Sequence, residues 1–268
     1  MTDPAGLGQW EIHRFDEVTS TMDVAARLMA TGDAVRPTVV VADHQTAGRG
    51  RADRLWRSAP GTALQMTAIL SLRAPIAALG PVPLLVGVAV AEAIERIDPS
   101  VGVRLKWPND VLIDGGKVAG ILIVSRSLGD GCVLRIGIGV NLVGVGDAGT
   151  GPGAFDHLLR EQPHGAAVAT LRERLMGEIL VRLSVLPAMF PEGAVGAALG
   201  CWTRRATLLG DEVTVQDGER AISGVLLGVD GRGALRIETA PGVVTAVVAG
   251  ELTRGPRLRG SGYPRLAD

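Results

Sequence analysis

A short run of glycines and arginines is the first group of residues in this chain that could do chemistry. It follows an apolar segment, Thr38 to Ala42. The residues of this loop are Gln45, Gly48, Arg49, Gly50, Arg51 and Arg54. Glycine lets backbone N–H groups approach an anion closely, and a guanidinium presents paired donors that match a phosphate or a carboxylate. The pattern indicates an anion-binding loop, although a merely solvated arginine loop has the same composition.

Four other strings combine polar residues with glycine, proline or a predicted helix start. The first is Ser20-Thr21-Met22, where Ser20 is a candidate N-cap and Asp23 would complete a capping box. Capping alone also explains Ser20 and Thr21, but a helix N-terminus presents hydroxyls and amides to a ligand as well. The later strings run from Lys106 to Asp110, from Lys117 to Leu122 and from Gly137 to Leu142.

Taken in order, these strings resemble the biotin protein ligases, over roughly Trp10 to Leu252. The resemblance implies an α/β (α+β) fold with a mixed-sheet catalytic domain and a small C-terminal SH3-like β-barrel. It implies that biotin, ATP and Mg²⁺ are bound, and that biotin is activated as biotinyl-5'-AMP. The biotinyl group would then pass to one lysine of a biotin carboxyl carrier domain of a carboxylase.

The same resemblance implies roles for individual residues. Lys117 matches the lysine that touches both the biotin carboxylate and the α-phosphate, although a solvated hairpin lysine is the ordinary alternative. Arg49 and Arg51 match loop residues that close over the adenylate and exclude water. Asp110 would orient the acceptor lysine or take its proton, unless it only forms an Asx turn after Pro108. The remaining binding residues implied are Ser20, Thr21, Met22, Gln45, Gly48, Gly50, Lys106, Asn109, Gly120 and Asn141.

Two positions depart from the family pattern. Met22 stands where an asparagine is frequent, and Asp53 stands where a glycine is frequent in the arginine loop. Met22 replaces amide hydrogen bonding with an apolar thioether, and Asp53 adds a negative charge and a less permissive backbone. Biotin affinity and loop closure are the properties that these departures affect. Gly120 either permits close backbone approach or marks a bulge, and Trp56 and Trp107 are expected to pack rather than to catalyse.

Composition limits the other possibilities. The chain has 268 residues, of which 47% are hydrophobic and 21% charged, and its formal net charge is −1, so it lacks the basic excess of a nucleic-acid-binding protein. The amino terminus has no signal-peptide pattern, which predicts a cytoplasmic protein without membrane attachment. Cys132 and Cys201 are expected to be reduced thiols, and the histidines lack zinc-site spacing. No Walker loop, dinucleotide fingerprint or nucleophile elbow is present in the sequence.

Strand and helix patterns alternate up to about residue 200. Strands are predicted over 10–18, 104–107, 111–114, 118–125 and 133–141, and helices over 21–29, 83–97 and 167–186. The turn Asp114-Gly115-Gly116 is a hairpin signal, Pro108 should take its segment out of a strand, and the glycine-rich segment 144–153 is expected to be a surface connection. Short strands over 212–216, 221–229, 234–238 and 243–248 predict a small barrel that docks onto the larger part.

These patterns predict two domains, a ligase domain over 1–203 and a barrel domain over 204–268. Only nine residues precede Trp10, so no amino-terminal DNA-binding domain is expected, and the protein should be a monomer or a homodimer that does not bind DNA. Two alternative functions stay open. One is a lipoate or octanoate ligase or transferase of the same fold, and the other is a non-catalytic regulator that binds biotin or DNA.

Overall fold

The structure, a computed structural model, describes residues 7–32, 36–52, 54–144, 154–156, 165–190 and 194–255. Its helices are α1 (Thr21–Thr31), α2 (Val82–Ile97), α3 (Ala166–Leu183) and α4 (Ala194–Arg205). Its first nine strands are β1 (Glu11–Val18), β2 (Thr38–Gln45), β3 (Gly48–Arg49), β4 (Leu55–Trp56), β5 (Ala63–Leu72), β6 (Val103–Lys106), β7 (Asp110–Ile113), β8 (Gly116–Leu128) and β9 (Gly131–Asn141). Five more follow: β10 (Glu212–Asp217), β11 (Arg220–Val229), β12 (Leu235–Ala240), β13 (Val243–Val247) and β14 (Glu251–Arg254).

The larger sheet has seven strands in the order β1-β2-β5-β9-β8-β7-β6. Only β1 and β2 pair in parallel, and the remaining neighbours are antiparallel, which confirms the predicted mixed sheet. At the turn between β7 and β8, Asp114 and Gly115 both have positive φ, as the sequence predicted for a tight hairpin. Pro108 lies in the turn between β6 and β7, outside both strands, as expected.

The two faces of this sheet are covered differently. Along β5, Leu64, Met66, Ala68 and Leu70 join the main core with α2, α3 and α4. Ile69 instead belongs to a small second core beneath α1, with Val24, Ala25 and Val40. Because successive strand residues point to opposite faces, Gln65 and Thr67 share the α1 face with Ile69. That face is only partly covered by α1, which leaves room for a cleft beside it.

The second sheet is antiparallel, with five strands in the order β13-β12-β11-β10-β14. Strands β10, β11, β12 and β13 confirm the four predicted strands. Strand β14 was not predicted, because its short segment contains only one large apolar residue, Leu252. Closure into a barrel is not confirmed, because no pairing between β13 and β14 occurs among the described residues. The second sheet is therefore an open sheet whose edge strand β14 pairs with β10.

The second sheet is docked onto the first, as predicted. The Trp107 indole N–H donates to the Gly233 carbonyl at 3.1 Å, and the Thr207 N–H donates to the Leu105 carbonyl at 2.9 Å. Val213, Val215 and other β10 to β12 side chains belong to the main core. Of the predicted surface connection over 144–153, Gly144 alone belongs to the described residues. Asp53 also lies outside them. No helix in the described part of the chain is long and apolar enough to cross a membrane.

Candidate active site

A cleft opens on the α1 face of the larger sheet, between the start of α1, the arginine loop and the β13–β14 turn. Its empty space, counted together with the part open to solvent, is about 950 Å³. Most of the residues implied by the sequence line it. These are Ser20, Thr21, Met22, Gln45, Arg49, Gly50, Arg51, Lys106, Asn109, Asp110, Lys117 and Gly120.

The start of α1 forms one wall. Ser20 has extended backbone geometry and its hydroxyl accepts from the Met22 N–H at 3.3 Å, which confirms the predicted N-cap. The Asp23 carboxylate does not close the predicted capping box with Ser20; it pairs with Arg49 at 2.9 Å. The capping prediction was therefore right for Ser20, while Asp23 serves to hold the arginine loop against α1.

A series of half-buried and buried hydrogen bonds joins this wall to β2 and β5. The Oε1 of Gln45 accepts from the backbone N–H of Thr21 at 2.7 Å and from its hydroxyl at 3.0 Å. The Nε2 of Gln45 donates to Oε1 of Gln65 at 2.9 Å, and Nε2 of Gln65 donates to the Asp43 carbonyl at 3.3 Å. The Thr67 hydroxyl donates to that of Thr21 at 2.8 Å. These bonds hold Thr21 and Gln45 in fixed orientations at the cleft.

Glycines form the floor of the cleft. A Cβ at Gly139 would lie 2.5 Å from Cε2 of Trp56, and one at Gly120 would lie 3.4 Å from Cζ3 of the same ring. The indole therefore rests directly on the backbone of β8 and β9. At Gly137 the nearest group is instead the flexible thioether of Met22, at 3.0 Å. Gly120 thus leaves space for the Trp56 ring and the Lys117 ammonium, and its role toward a ligand stays a prediction.

The arginine loop is a small hairpin of β3 and β4 that contacts both sheets. Arg54 binds the Glu251 carboxylate through two hydrogen bonds of 3.1 Å, and Arg51 donates to the Gly250 carbonyl at 3.4 Å and to Oδ1 of Asn109 at 3.1 Å. The bonds from Arg54 hold the pKa of the Glu251 carboxyl below its usual range. Burial lowers the pKa of Arg51 from its ordinary value, although the nearby Asp110 favours the charged form. Arg51 stays charged at neutral pH, because an arginine pKa starts so high.

Lys117 and Asp110 lie together on the opposite wall. Nζ of Lys117 is 2.6 Å from the Asp110 carboxylate, and the lysine side chain is 45% exposed, against 22% for the aspartate. The same Nζ lies 3.3 Å from where a Cβ at Gly120 would stand. Lys117 and Asp110, two of the three residues implied to be catalytic with Arg51, are thus paired with each other. The lysine is nevertheless exposed at the hairpin, so its catalytic role stays a prediction beside the alternative of a solvated hairpin lysine.

Cations outnumber carboxylates in the cleft. Its lining contains five cationic side chains and two carboxylates, Asp110 and Glu251. The cationic residues are Arg49, Arg51, Arg54, Lys106 and Lys117. A surplus of positive charge in a concave, partly desolvated site favours a polyanionic ligand. The net charge of the whole chain is −1, so the positive surplus is local to the cleft.

Two predicted site residues do not line the cleft. Gly48 lies behind it, where a Cβ would be 2.6 Å from the Trp56 carbonyl and 3.0 Å from Nε2 of Gln45. Asn141 is buried at the end of β9, opposite Ala63, and its carbonyl accepts from the Ala154 N–H at 2.7 Å. Gly48 therefore makes space for the Gln45 amide, and a ligand role for Asn141 stays a prediction.

Sequence reasoning missed several residues that the fold brings to the site. Gln65 and Glu251 were not singled out, and neither was the cleft-lining Leu252, whereas Gly139 lies within the string from Gly137 to Leu142 but was given no role. Gln65 carried a detectable signal, since it is a lone amide within the apolar run 63–72. Glu251 carried none, because its partner Arg54 is 197 residues away in sequence.

Family models match both parts of this architecture. The Biotin/lipoate A/B protein ligase family matches residues 14–141, and the Biotin protein ligase C terminal domain matches residues 208–252. The first match contains every predicted site residue, from Ser20 to Asn141. The second contains Gly250 and Glu251, which hold the arginine loop.

Individual relatives agree with the family models. The chain is 33% identical over 199 residues to the biotin ligase of acetyl-CoA carboxylase from Paracoccus denitrificans, covering 73% of this chain and 82% of that one. It is 30% identical over 251 residues to the bifunctional ligase/repressor BirA of Bacillus subtilis, covering 88% and 72%. The solved biotin protein ligase from Aquifex aeolicus in complex with biotin and ATP has a TM-score of 0.66 and 27% identity, covering 91% and 99%. This chain belongs to the biotin protein ligase family.

Proposed function

We propose that this chain is an ATP-dependent ligase that activates biotin as biotinyl-5'-AMP and transfers the biotinyl group to a lysine of a biotin carboxyl carrier domain. One observation carries the proposal. A single cleft combines an oriented hydrogen-bonding wall at Thr21 and Gln45 with five cationic side chains. The wall suits a neutral polar head group, and the cations suit a carboxylate that meets a triphosphate.

In the first step an oxygen of the biotin carboxylate attacks the α-phosphorus of ATP, and pyrophosphate leaves. Two anions must approach each other, and their repulsion in a partly desolvated cleft opposes the reaction. Lys117 and Arg51, both on the cleft wall, would neutralise the charge that develops between them. This is electrostatic stabilisation by groups that the fold already holds in place.

The Lys117–Asp110 pair suggests how the second step is prepared. When the two anions bind, Lys117 would exchange its contact with Asp110 for the carboxylate and the α-phosphate. Asp110 would then be free to accept a hydrogen bond from the incoming lysine, whose ordinary pKa is about 10.4. The neutral amine attacks the acyl carbon, and AMP leaves. The proton lost from the amine passes to Asp110 or to solvent.

The arginine loop would act as a lid over the mixed anhydride. Arg51 and Arg54 already contact the second sheet through Gly250 and Glu251. Closure of such a loop excludes water from a reactive intermediate. Arg49 and Arg54 are each paired with a carboxylate of the protein, Asp23 and Glu251, so these pairs hold the loop in the absence of a bound anion.

Mg²⁺ is proposed to enter with the nucleotide. No group of three or more His, Cys, Asp or Glu side chains suited to a metal ion occurs among the described residues. The cleft carboxylates, Asp110 and Glu251, are both paired with cations. The residues present thus do not form a protein-built metal site, and phosphate oxygens and water are the ligands that Mg²⁺ ordinarily retains.

The remaining assignments follow from the same proposal. The acceptor would be a carrier domain of a biotin-dependent carboxylase, the protein would act in the cytoplasm without DNA or membrane, and it would be a monomer or a homodimer. We propose residues 1–203 as the ligase domain and 204–268 as the second domain. Among acyl ligases of this fold, the match to the Biotin protein ligase C terminal domain favours biotin over lipoate or octanoate.

A substrate comparison tests the proposal. The purified protein is incubated with ATP and Mg²⁺, and with biotin, lipoate or octanoate, and pyrophosphate release is measured. We expect release only with biotin, followed by labelling of a carrier domain but not of the same domain with its acceptor lysine replaced by arginine. Release with lipoate or octanoate instead of biotin would show that another acid is the substrate, and biotin binding without release would indicate a non-catalytic regulator.

A further inference from the structure

We propose that Gln65 is a positioning residue that fixes the Gln45 side chain so that it presents an N–H donor to the biotin head group. This inference rests on the proposed function. Gln65 itself is 1% exposed and lies beneath the cleft wall rather than on it. It therefore acts on a ligand only through Gln45.

The direction of these hydrogen bonds is determined by the two backbone groups at the ends of the series, the Thr21 N–H and the Asp43 carbonyl. The Thr21 N–H can only donate, so the Gln45 atom that faces it must be the carbonyl oxygen. The Asp43 carbonyl can only accept, so the Gln65 atom that faces it must be the amide nitrogen. The Gln65 oxygen then faces Gln45 and accepts from Nε2 at 2.9 Å. Exchanging the oxygen and the nitrogen of either side-chain amide would place two donors or two acceptors against each other.

This arrangement determines what the cleft offers to a ligand. The Gln45 oxygen already accepts two hydrogen bonds from Thr21, and one Nε2 hydrogen is used by Gln65. The second Nε2 hydrogen has no acceptor among the described residues. In the arrangement inferred here this second hydrogen is the donor that Gln45 offers, and a bound head group supplies the acceptor. In biotin the ureido carbonyl oxygen is such an acceptor.

The position of Gln65 on β5 supports a specific role. On the same face of the strand, Ile69 packs beneath α1 with Val24, Ala25 and Val40. An apolar residue would satisfy packing here, whereas a buried amide costs free energy unless all its groups are bonded. The amide of Gln65 is bonded on both its oxygen and its nitrogen. Its presence is explained by the bond that it makes to Gln45.

Equilibrium binding of biotin to the full chain tests the proposal, with one variant at Gln65 and one control variant. Gln65→Met keeps the side-chain length and removes both bonds, and we expect about a tenfold loss of biotin affinity, the scale of one lost buried hydrogen bond. The adenylation rate at saturating biotin should change much less, so that KM for biotin rises while kcat is retained. Ile69→Val, which alters packing on the same face of the same strand, should bind biotin as the unaltered chain does.

A double-mutant cycle separates positioning from general destabilisation. If Gln65 acts through Gln45, then Gln45→Ala with Gln65→Met should bind biotin no more weakly than Gln45→Ala alone. Additive losses would overturn the proposal, and so would unchanged affinity in Gln65→Met. Failure of the unaltered chain to bind biotin would instead reject the proposed function, which keeps the two results distinct.

A second variant gives a decision if Gln65→Met does not fold. A glutamic acid at this position can accept from Nε2 of Gln45 whether it is protonated or ionised. Gln65→Glu should therefore keep much more of the biotin affinity than Gln45→Ala does. A loss of affinity in folded Gln65→Glu as large as that in Gln45→Ala would overturn the proposal.

Discussion

At the scale of single residues, two cations of the site form ion pairs with its two carboxylates. Lys117 contacts Asp110 at 2.6 Å, and Arg54 contacts Glu251 at 3.1 Å. Each pair keeps a cation and a carboxylate in the cleft without leaving an uncompensated charge. An anionic substrate would compete with these carboxylates for Lys117 and Arg54, whereas Arg51 and Lys106 line the cleft without an ion pair among the described residues.

Lys117→Ala tests the charge-neutralising role. If Lys117 stabilises the charge between the biotin carboxylate and the α-phosphate, the rate of adenylation should fall about a hundredfold or more, as for one preorganised electrostatic donor. Pyrophosphate release measures this step. Transfer from supplied biotinyl-adenylate should suffer less, because the two anions have already been joined. A folded variant with near-normal adenylation would contradict the assignment.

At the scale of elements, the floor of the cleft and the arginine loop depend on each other. The Trp56 ring on β4 rests on the backbone at Gly139 of β9. The same loop is held at α1 by the Arg49–Asp23 pair and at the second sheet by Arg51 and Arg54. Movement of the loop must therefore break contacts with three elements.

Gly139→Ala should displace the loop, because its Cβ would lie 2.5 Å from a ring carbon of Trp56. We expect tryptic cleavage after Arg51 or Arg54 to become severalfold faster. Gly137→Ala is the matched control on the same strand, since its Cβ meets only the flexible Met22 thioether at 3.0 Å. Equal cleavage rates for both variants would argue against contact between Trp56 and β9 as the restraint on the loop.

Arg51→Gly tests the lid itself. Loss of the bonds to Asn109 and Gly250 should loosen retention of biotinyl-adenylate more than it slows its formation. Filter binding measures retention, and pyrophosphate release measures formation. Retention equal to or tighter than that of the unaltered chain would remove the lid role.

At the scale of the whole molecule, the second sheet completes the site. Trp107 bonds to Gly233 beside the cleft, and Glu251 and Leu252 line the cleft from the second sheet. The small module predicted to dock for stability therefore also contributes a carboxylate and a carbonyl that position the arginine loop. Docking of the second sheet therefore also positions the arginine loop beside the cleft.

The Arg54–Glu251 contact should make part of the stability depend on pH. The pKa of Glu251 is lowered by Arg54, so the contribution is complete above the ordinary glutamate pKa of about 4.3 and is lost as pH falls through the lowered value. Glu251→Gln should reduce the denaturant midpoint slightly at pH 7. The difference from the unaltered chain should disappear in strong acid. A difference that persists unchanged at about pH 2 would contradict the assigned cause.

The sequence by itself determined the family, the mixed sheet, most strand and helix positions, and a set of site residues most of which line the cleft. Local chemistry was sufficient for these, because the motifs are contiguous and strand patterns depend on near neighbours. The tertiary structure decided which groups pair: Lys117 with Asp110, Gln65 with Gln45, and Arg54 with Glu251. It also showed an open second sheet with the unpredicted strand β14. Such pairings depend on strand register and docking, which bring together residues as far as 197 positions apart and leave no pattern in the local sequence.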